Sequence, residues 1–297
     1  MNSTRPVVLL LHHDRLLREH LRKASRPEFD VCVVQCWDEL LQVAQRASWF
    51  VITIVDPYCR HYPRSDLAPA LWTIRQSLPS LIVIAAIDRD AARLEDVHAL
   101  GQLGVGALLL LGRELSVEAV RERLLAARML MLQRAVSLVH PIAASGLTRR
   151  LLEAAVEVAA GGGQAERLAA ALHVSHRTLT RRCLKAGLPA PRRLLAWMRV
   201  LIASSLLDDP GRTVSGVAFA CGYYSDTTLR RALQTFLEMS PSDLRERGSL
   251  TTAVRMFRDE LRETSGYPRR AEEAARTRST NSREPSVKRQ FLALESE

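Results

Sequence analysis

Two stretches in the C-terminal half of the chain repeat one grammar, and that repeat narrows the possible folds more than any other feature. In the first, residues 165–172 (AERLAAAL) read as a short helix, His173 and Val174 as a tight turn, and residues 175–186 (SHRTLTRRCLKA) as a second helix. In the second, Val214–Ala220 (VSGVAFA) is the short helix, Cys221, Gly222 and Tyr223 form the turn, and residues 225–236 (SDTTLRRALQTF) are the second helix. Ser175 and Ser225 stand at the N-cap positions. Leu179 and Leu229 take the inward place in each second helix. Arg177, Thr180 and Arg181 fall on the opposite face of the first, and Thr227, Arg230 and Arg231 on that of the second. Each unit is a helix-turn-helix, whose exposed helix tip fits a major groove about 12 Å wide.

The stretch between the units, Pro191–Leu207 (PRRLLAWMRVLIASSLL), is apolar at helical spacing and opened by proline. Such a helix spans about 25 Å. With its flanking turns it approaches the roughly 34–36 Å repeat that places two adjacent major grooves on one side of a duplex. One chain can then contact both grooves without a symmetric partner. The residue types suit that task. A helix tip and its cap hydroxyl can hold a phosphate, and an arginine one turn further in can donate two hydrogen bonds to guanine O6 and N7. Composition agrees: Lys+Arg 42 against Asp+Glu 32 leaves +10, and nearly all the cations are arginine, which favours bidentate contacts.

These residues carry a resemblance. Leu168 to Leu172, Ser175, Leu179, Arg181 and Arg182 recur at the spacing of a known family, as do Val217, Ala218, Gly222, Tyr223, Ser225, Leu229 and Arg230 to Leu233. With the closing Ser240-Pro241-Ser242-Asp243-Leu244-Arg245, they strongly resemble the AraC/XylS-type DNA-binding domain. The resemblance implies a seven-helix bundle reading two successive major grooves, with base readers at Arg177, Thr180, Arg181, Thr227, Arg230 and Arg231. Two positions depart from the family: Cys183 and Leu233 stand where an aromatic is usual.

The front of the chain has another character. Val7–Leu11, residues 31–34, residues 50–55 (FVITIV), residues 81–87 (LIVIAAI) and Ala107–Leu111 are apolar, partly β-branched runs separated by amphipathic helical segments. Buried strands alternating with helices mean a five-stranded parallel sheet covered on both faces, an α/β flavodoxin-like fold. In that fold chemistry sits beyond the carboxyl ends of the strands, where Asp56 follows FVITIV. The neighbourhood resembles the receiver domain of two-component response regulators, and Asp56 matches the aspartate that accepts a phosphoryl group there. The match then degrades. His12-His13 replace the acidic pair that holds Mg²⁺, Asp14 comes one step late, Ala85-Ala86 replace a hydroxyl, and Gly112 or Arg113 replaces a lysine. Imidazoles suit a hard, oxygen-seeking ion poorly. The expectation is therefore a degenerate receiver without a metal. A His12/His13/Asp56 transition-metal site is disfavoured because adjacent histidines often point in different directions.

The segments assign residues 1–115 to the receiver-like domain, 116–145 to a connector helix, 146–248 to the DNA-binding domain and 249–297 to an extension. The connector, capped by Ser116, carries two apolar stripes: Val117, Val120, Leu124, Ala127 and Met131, then Leu125, Met129, Leu132, Val136 and Val139. One stripe covers the sheet; the other either packs on the same chain or pairs with a second subunit. Residues 251–264 read as one more helix, and residues 267–290, nearly devoid of large apolar side chains, as a disordered tail. The five cysteines (Cys32, Cys36, Cys59, Cys183, Cys221) show neither disulfide nor zinc spacing, in keeping with a reducing cytoplasm; Cys183 and Cys221 are expected as small buried apolar residues, and Cys32 and Cys36 to pack in the interior rather than form a redox pair. No signal peptide, membrane span, G-x-G-x-x-G, P-loop or G-x-S-x-G is present.

The reading is a cytoplasmic, sequence-specific transcription regulator that binds rather than catalyses and needs no cofactor. Its expected partners are double-stranded DNA and a second copy, with RNA polymerase compatible with the role and no membrane. Control by an unphosphorylated front domain is the leading mode. Phosphorylation of Asp56 by a sensor kinase and small-molecule sensing are the alternatives.

Overall fold

The computed structural model describes residues 6–47, 51–58, 67–88, 94–112, 115–139 and 146–265. The apolar runs form β1 (Val7–Leu11), β2 (Asp30–Val33), β3 (Val51–Val55), β4 (Ile82–Asp88) and β5 (Ala107–Leu111), all parallel in the order β2-β1-β3-β4-β5. That is the flavodoxin-like order, whose ligand crevice opens between β1 and β3. Side chains alternate between two packed layers, as the pleat dictates. Val8, Leu10, Ile52 and Ile54 face α1 (Arg15–Ala24) and α5 (Val117–Val139). Leu9, Val51 and Val55 face α2 (Trp37–Arg46), α3 (Pro69–Ser77) and α4 (Leu94–Gln102). Every residue of β3 is buried, which explains why it reads as an unbroken apolar run.

Helix α5 serves both halves of the molecule. Its Val120, Leu124, Ala127 and Met131 are buried, and Arg121 donates to the Arg26 carbonyl at 3.0 Å and to Glu28 at 2.9 Å. Further along, Arg128 meets Glu157 of α6 (Gly146–Ala160) at 2.6 Å. Of the second stripe, Leu125 packs against the core and Met129 is exposed; the side chains of Leu132, Val136 and Val139 lie outside the described residues.

The helical half continues with α7 (Ala165–Ala171), α8 (His176–Lys185), α9 (Pro191–Leu207), α10 (Val214–Ala220), α11 (Asp226–Leu237), α12 (Pro241–Arg247) and α13 (Ser249–Ser265). Helix α9 is the central rod, buried nearly all round. Its Trp197 meets Phe236 edge-on, ring centroids 4.9 Å apart, and Phe257 of α13 at 5.1 Å. The 249–265 segment is thus part of the core, since Phe257 is fully enclosed. Cys183 and Leu233 are also fully buried, so the two departures from the family pattern are filled by smaller apolar side chains. Cys59 and the segment from 266 onward lie outside the described residues.

Candidate nucleic-acid interface and front-domain cavity

Both units close their turns alike. His173 and Gly222 are left-handed, with φ of 51° and 74°. The next residue then folds back, Val174 N–H onto Ala169 O at 3.0 Å and Tyr223 N–H onto Ala218 O at 2.9 Å. Ser175 Oγ accepts from Thr178 N–H and Ser225 Oγ from Thr228 N–H, each at 3.2 Å. Each cap hydroxyl also meets the threonine hydroxyl at 3.0 Å; first-turn backbone N–H groups remain as donors at the first tip, whereas at the second Thr227 N–H is taken by the Asp226 carboxylate at 2.9 Å.

Leu179 and Leu229 are fully buried, and Arg177, Thr180, Arg181, Thr227, Arg230 and Arg231 are all exposed. The inward and outward assignments made from helical period therefore hold. The outward residues differ in freedom. Thr180 donates its hydroxyl to His176 O at 3.0 Å, and Arg230 lies 3.6 Å from Asp226. No ion pair ties Arg181 or Arg231 among the described residues. The second unit also has one residue more than the first: Tyr224, between turn and cap, 95% exposed. Sequence reasoning gave it no role, although aligning His173 with Gly222 exposes the insertion.

At the carboxyl ends of β1 and β3 lies a cavity of about 170 Å³ lined by His12, His13, Arg18, Cys36, Asp56 and Tyr58, among others. His12 and His13 do not diverge as expected. They follow the end of β1, where strand alternation stops, and their rings stack 5.0 Å apart at 6°. His13 Nδ1 is 3.3 Å from one Asp56 oxygen, and the other accepts from Tyr58 N–H at 3.0 Å. Ligand atoms of His12, His13 and Asp56 fall within 4.8 Å of one another. Even so, His12 Nδ1 accepts from Asp14 N–H at 3.0 Å, so that nitrogen is already engaged. Asp14 is no substitute ligand, because its carboxylate caps α1 by accepting from Leu17 N–H at 2.7 Å. Burial, more than any other influence, holds His12 below the usual imidazole range. One carboxylate beside two imidazoles does not fit Mg²⁺.

The cysteines divide. Burial pushes Cys183 up to about 11 and Cys221 up to about 12, so both stay protonated thiols. Cys36 departs from expectation: it is exposed at the α2 N-cap, and Cys32 is only half-buried. A short β2 at the sheet edge, half-buried throughout, has less cover than the interior position expected of both.

Residues 168–247 match a family model described as a helix-turn-helix domain. The chain carries an AraC-type helix-turn-helix domain. This domain, which follows the flavodoxin-like α/β domain, makes the chain a DNA-binding regulator of the helix-turn-helix kind. Among solved structures, the chain is similar to RcsB from Salmonella enterica serovar Typhimurium bound to promoter rprA with phosphomimetic BeF3-. That likeness has 16% identity and a TM-score of 0.32, and covers 65% of this chain and 98% of that one. The response regulator StyR is similar at 13% identity and a TM-score of 0.27, over 64% of this chain and 96% of the other. No curated protein matches the chain. No described helix is long and apolar enough to cross a membrane.

Proposed function

We propose that this regulator reads specific duplex sequences with α8 and α11, and that its front domain acts without phosphorylation. The observation carrying the first part is the pair of recognition helices, each capped by serine and each presenting an exposed polar face. Ser175, Arg177, Thr180 and Arg181 form one reading surface; Ser225, Thr227, Arg230 and Arg231 form the other. Arg181 and Arg231, untied to any carboxylate among the described residues, are the principal base readers, and the first-turn N–H groups and cap residues face phosphates.

For the front domain, phosphoryl transfer to Asp56 needs a cation to neutralise the moving oxygens. The cavity offers imidazoles, a carboxylate with one oxygen bonded to Tyr58 N–H and the other 3.3 Å from His13 Nδ1, and no hydroxyl at Ala85 or Ala86. Control instead runs through packing: α2 begins at the cavity, where Cys36 and Trp37 line it, and packs on α10 of the second unit. A second copy, meeting through the connector helix, and RNA polymerase complete the proposed assembly.

Selection of duplexes from a random pool with the full chain, at physiological ionic strength, tests the reading. Enrichment of two half-sites about one helical turn apart is expected. No enrichment over competitor overturns it. Incubation with Mg²⁺ and a small phosphodonor should leave the intact mass unchanged; an added phosphoryl group that disappears in Asp56→Ala refutes phosphorylation independence.

A further inference from the structure

The loop joining α9 to α10 lies between the two helix-turn-helix units, yet it is buried against the front domain. Asp209 is 1% exposed and Arg212 3%. Asp209 accepts from the Ser80 N–H at 2.9 Å, from the Ser80 hydroxyl, and from Arg212 Nε at 3.1 Å. Arg212 Nη1 donates to the carbonyls of Gln45 at 3.0 Å and Ala47 at 2.9 Å, where α2 ends. Gly211 N–H donates to Ser77 O at 2.8 Å, where α3 ends. Helix-terminal carbonyls lack partners within their own helix and carry the negative end of its dipole, so a guanidinium answers both needs. Burial works against both charges, and the bonds to Ser80 and between the two side chains offset it. Arg245 of α12 also donates to Arg212 O, fastening the loop to the second unit.

A second attachment lies elsewhere. Helix α5 joins α6 through Arg128 and Glu157, and α6 packs on α7 of the first unit. The front domain therefore grips the bundle behind each unit separately.

We propose that Asp209 and Arg212 are positioning residues: they clasp the second unit to the front domain, which braces α8 and α11 at one separation and so sets the half-site spacing the protein accepts. This rests on the proposed DNA reading. Moving a half-site by one base pair shifts it about 3.4 Å along the axis and about 35° around it. A braced pair of helices cannot follow that displacement, whereas a released second unit can.

The test uses the full chain with Gly211→Ala and Asp209→Asn. A Cβ at Gly211 would lie 3.0 Å from Ser77 O and 3.1 Å from Ser77 Cβ, wedging the clasp without straining the loop's own backbone. Amide exchange reads the clasp without DNA. Ser80 and Gly211 should be protected in the parent and exchange about tenfold faster in either variant, while α9 amides stay protected. Binding to the selected site, and to the same site with one base pair added or removed, reads the brace. The parent should prefer its selected spacing, and the variants should lose most of that preference while keeping affinity for the selected spacing within a few-fold. Free exchange at Ser80 and Gly211 in the parent, or unchanged protection in Gly211→Ala, overturns the clasp. Faster exchange with unchanged spacing preference overturns the brace. If the parent selects no site at all, the DNA reading has failed, and the exchange arm still decides whether the clasp exists.

Discussion

Replacing Arg231 separates base reading from charge attraction. The side chain is exposed on α11 and joined to no carboxylate among the described residues, in contrast to neighbouring Arg230, which lies 3.6 Å from Asp226. Its loss should leave folding stability within about 0.5 kcal/mol, so any binding defect belongs to the interface. A bidentate contact to guanine is worth about 1–3 kcal/mol, which corresponds to a roughly five- to 150-fold loss of affinity for the selected site. Arg231→Lys keeps the charge and loses the planar fork. Its affinity for random duplex should hold while its preference for the selected site falls. Fluorescence anisotropy titrations on both duplexes, across a salt series, supply the measurement. If Arg231→Ala weakens selected and random DNA equally and lowers the salt slope by about one, the side chain touches only phosphate and the base-reading assignment is wrong.

Other expectations follow from single side chains. Leu229→Ala, at a fully enclosed position, should cost about 2–5 kcal/mol in denaturant unfolding; a loss under about 1 kcal/mol would mean that α11 is loosely packed. Burial shifts the protonation of His12 below the ordinary imidazole range. In the window from there down to its folded value the unfolded chain binds more protons, so stability falls as pH drops through it. His12→Asn, whose amide oxygen can accept from Asp14 N–H, should flatten that slope, and an unaltered slope would place its origin elsewhere. Iodoacetamide at about pH 8 should modify exposed Cys36 and spare Cys183 and Cys221 in the folded protein, as peptide mass mapping would show; early labelling of either buried thiol contradicts the packing.

Much of the architecture can be read locally. A five-residue apolar run such as VITIV can satisfy itself only as a strand covered on both faces, and β3 is that. Helices α8 and α11 are legible for a similar reason: Ser175 and Ser225 cap through bonds to residues three positions away, and helical period alone sends Leu179 inward and Arg181 outward. The family pattern adds the expected use of those faces.

His12, His13 and Asp56 can be grouped from the sequence, but neither their arrangement nor the clasp was legible, because both depend on how the elements close in three dimensions. The stacking of His12 on His13 depends on where β1 ends and on Asp14 turning into α1. Asp209-Pro210-Gly211-Arg212 looks like an ordinary solvated turn, and nothing nearby announces that its charges are buried. Their burial depends on the carbonyls of Gln45 and Ala47, for Arg212, and on the N–H and hydroxyl of Ser80, for Asp209, all well over a hundred positions earlier. Helical and strand periodicity, set by backbone geometry, determined which segments form and which faces turn inward. Only the tertiary structure decided which helix ends meet, because unpaired terminal carbonyls and a buried ion pair complete their hydrogen bonds only when the two domains close on each other.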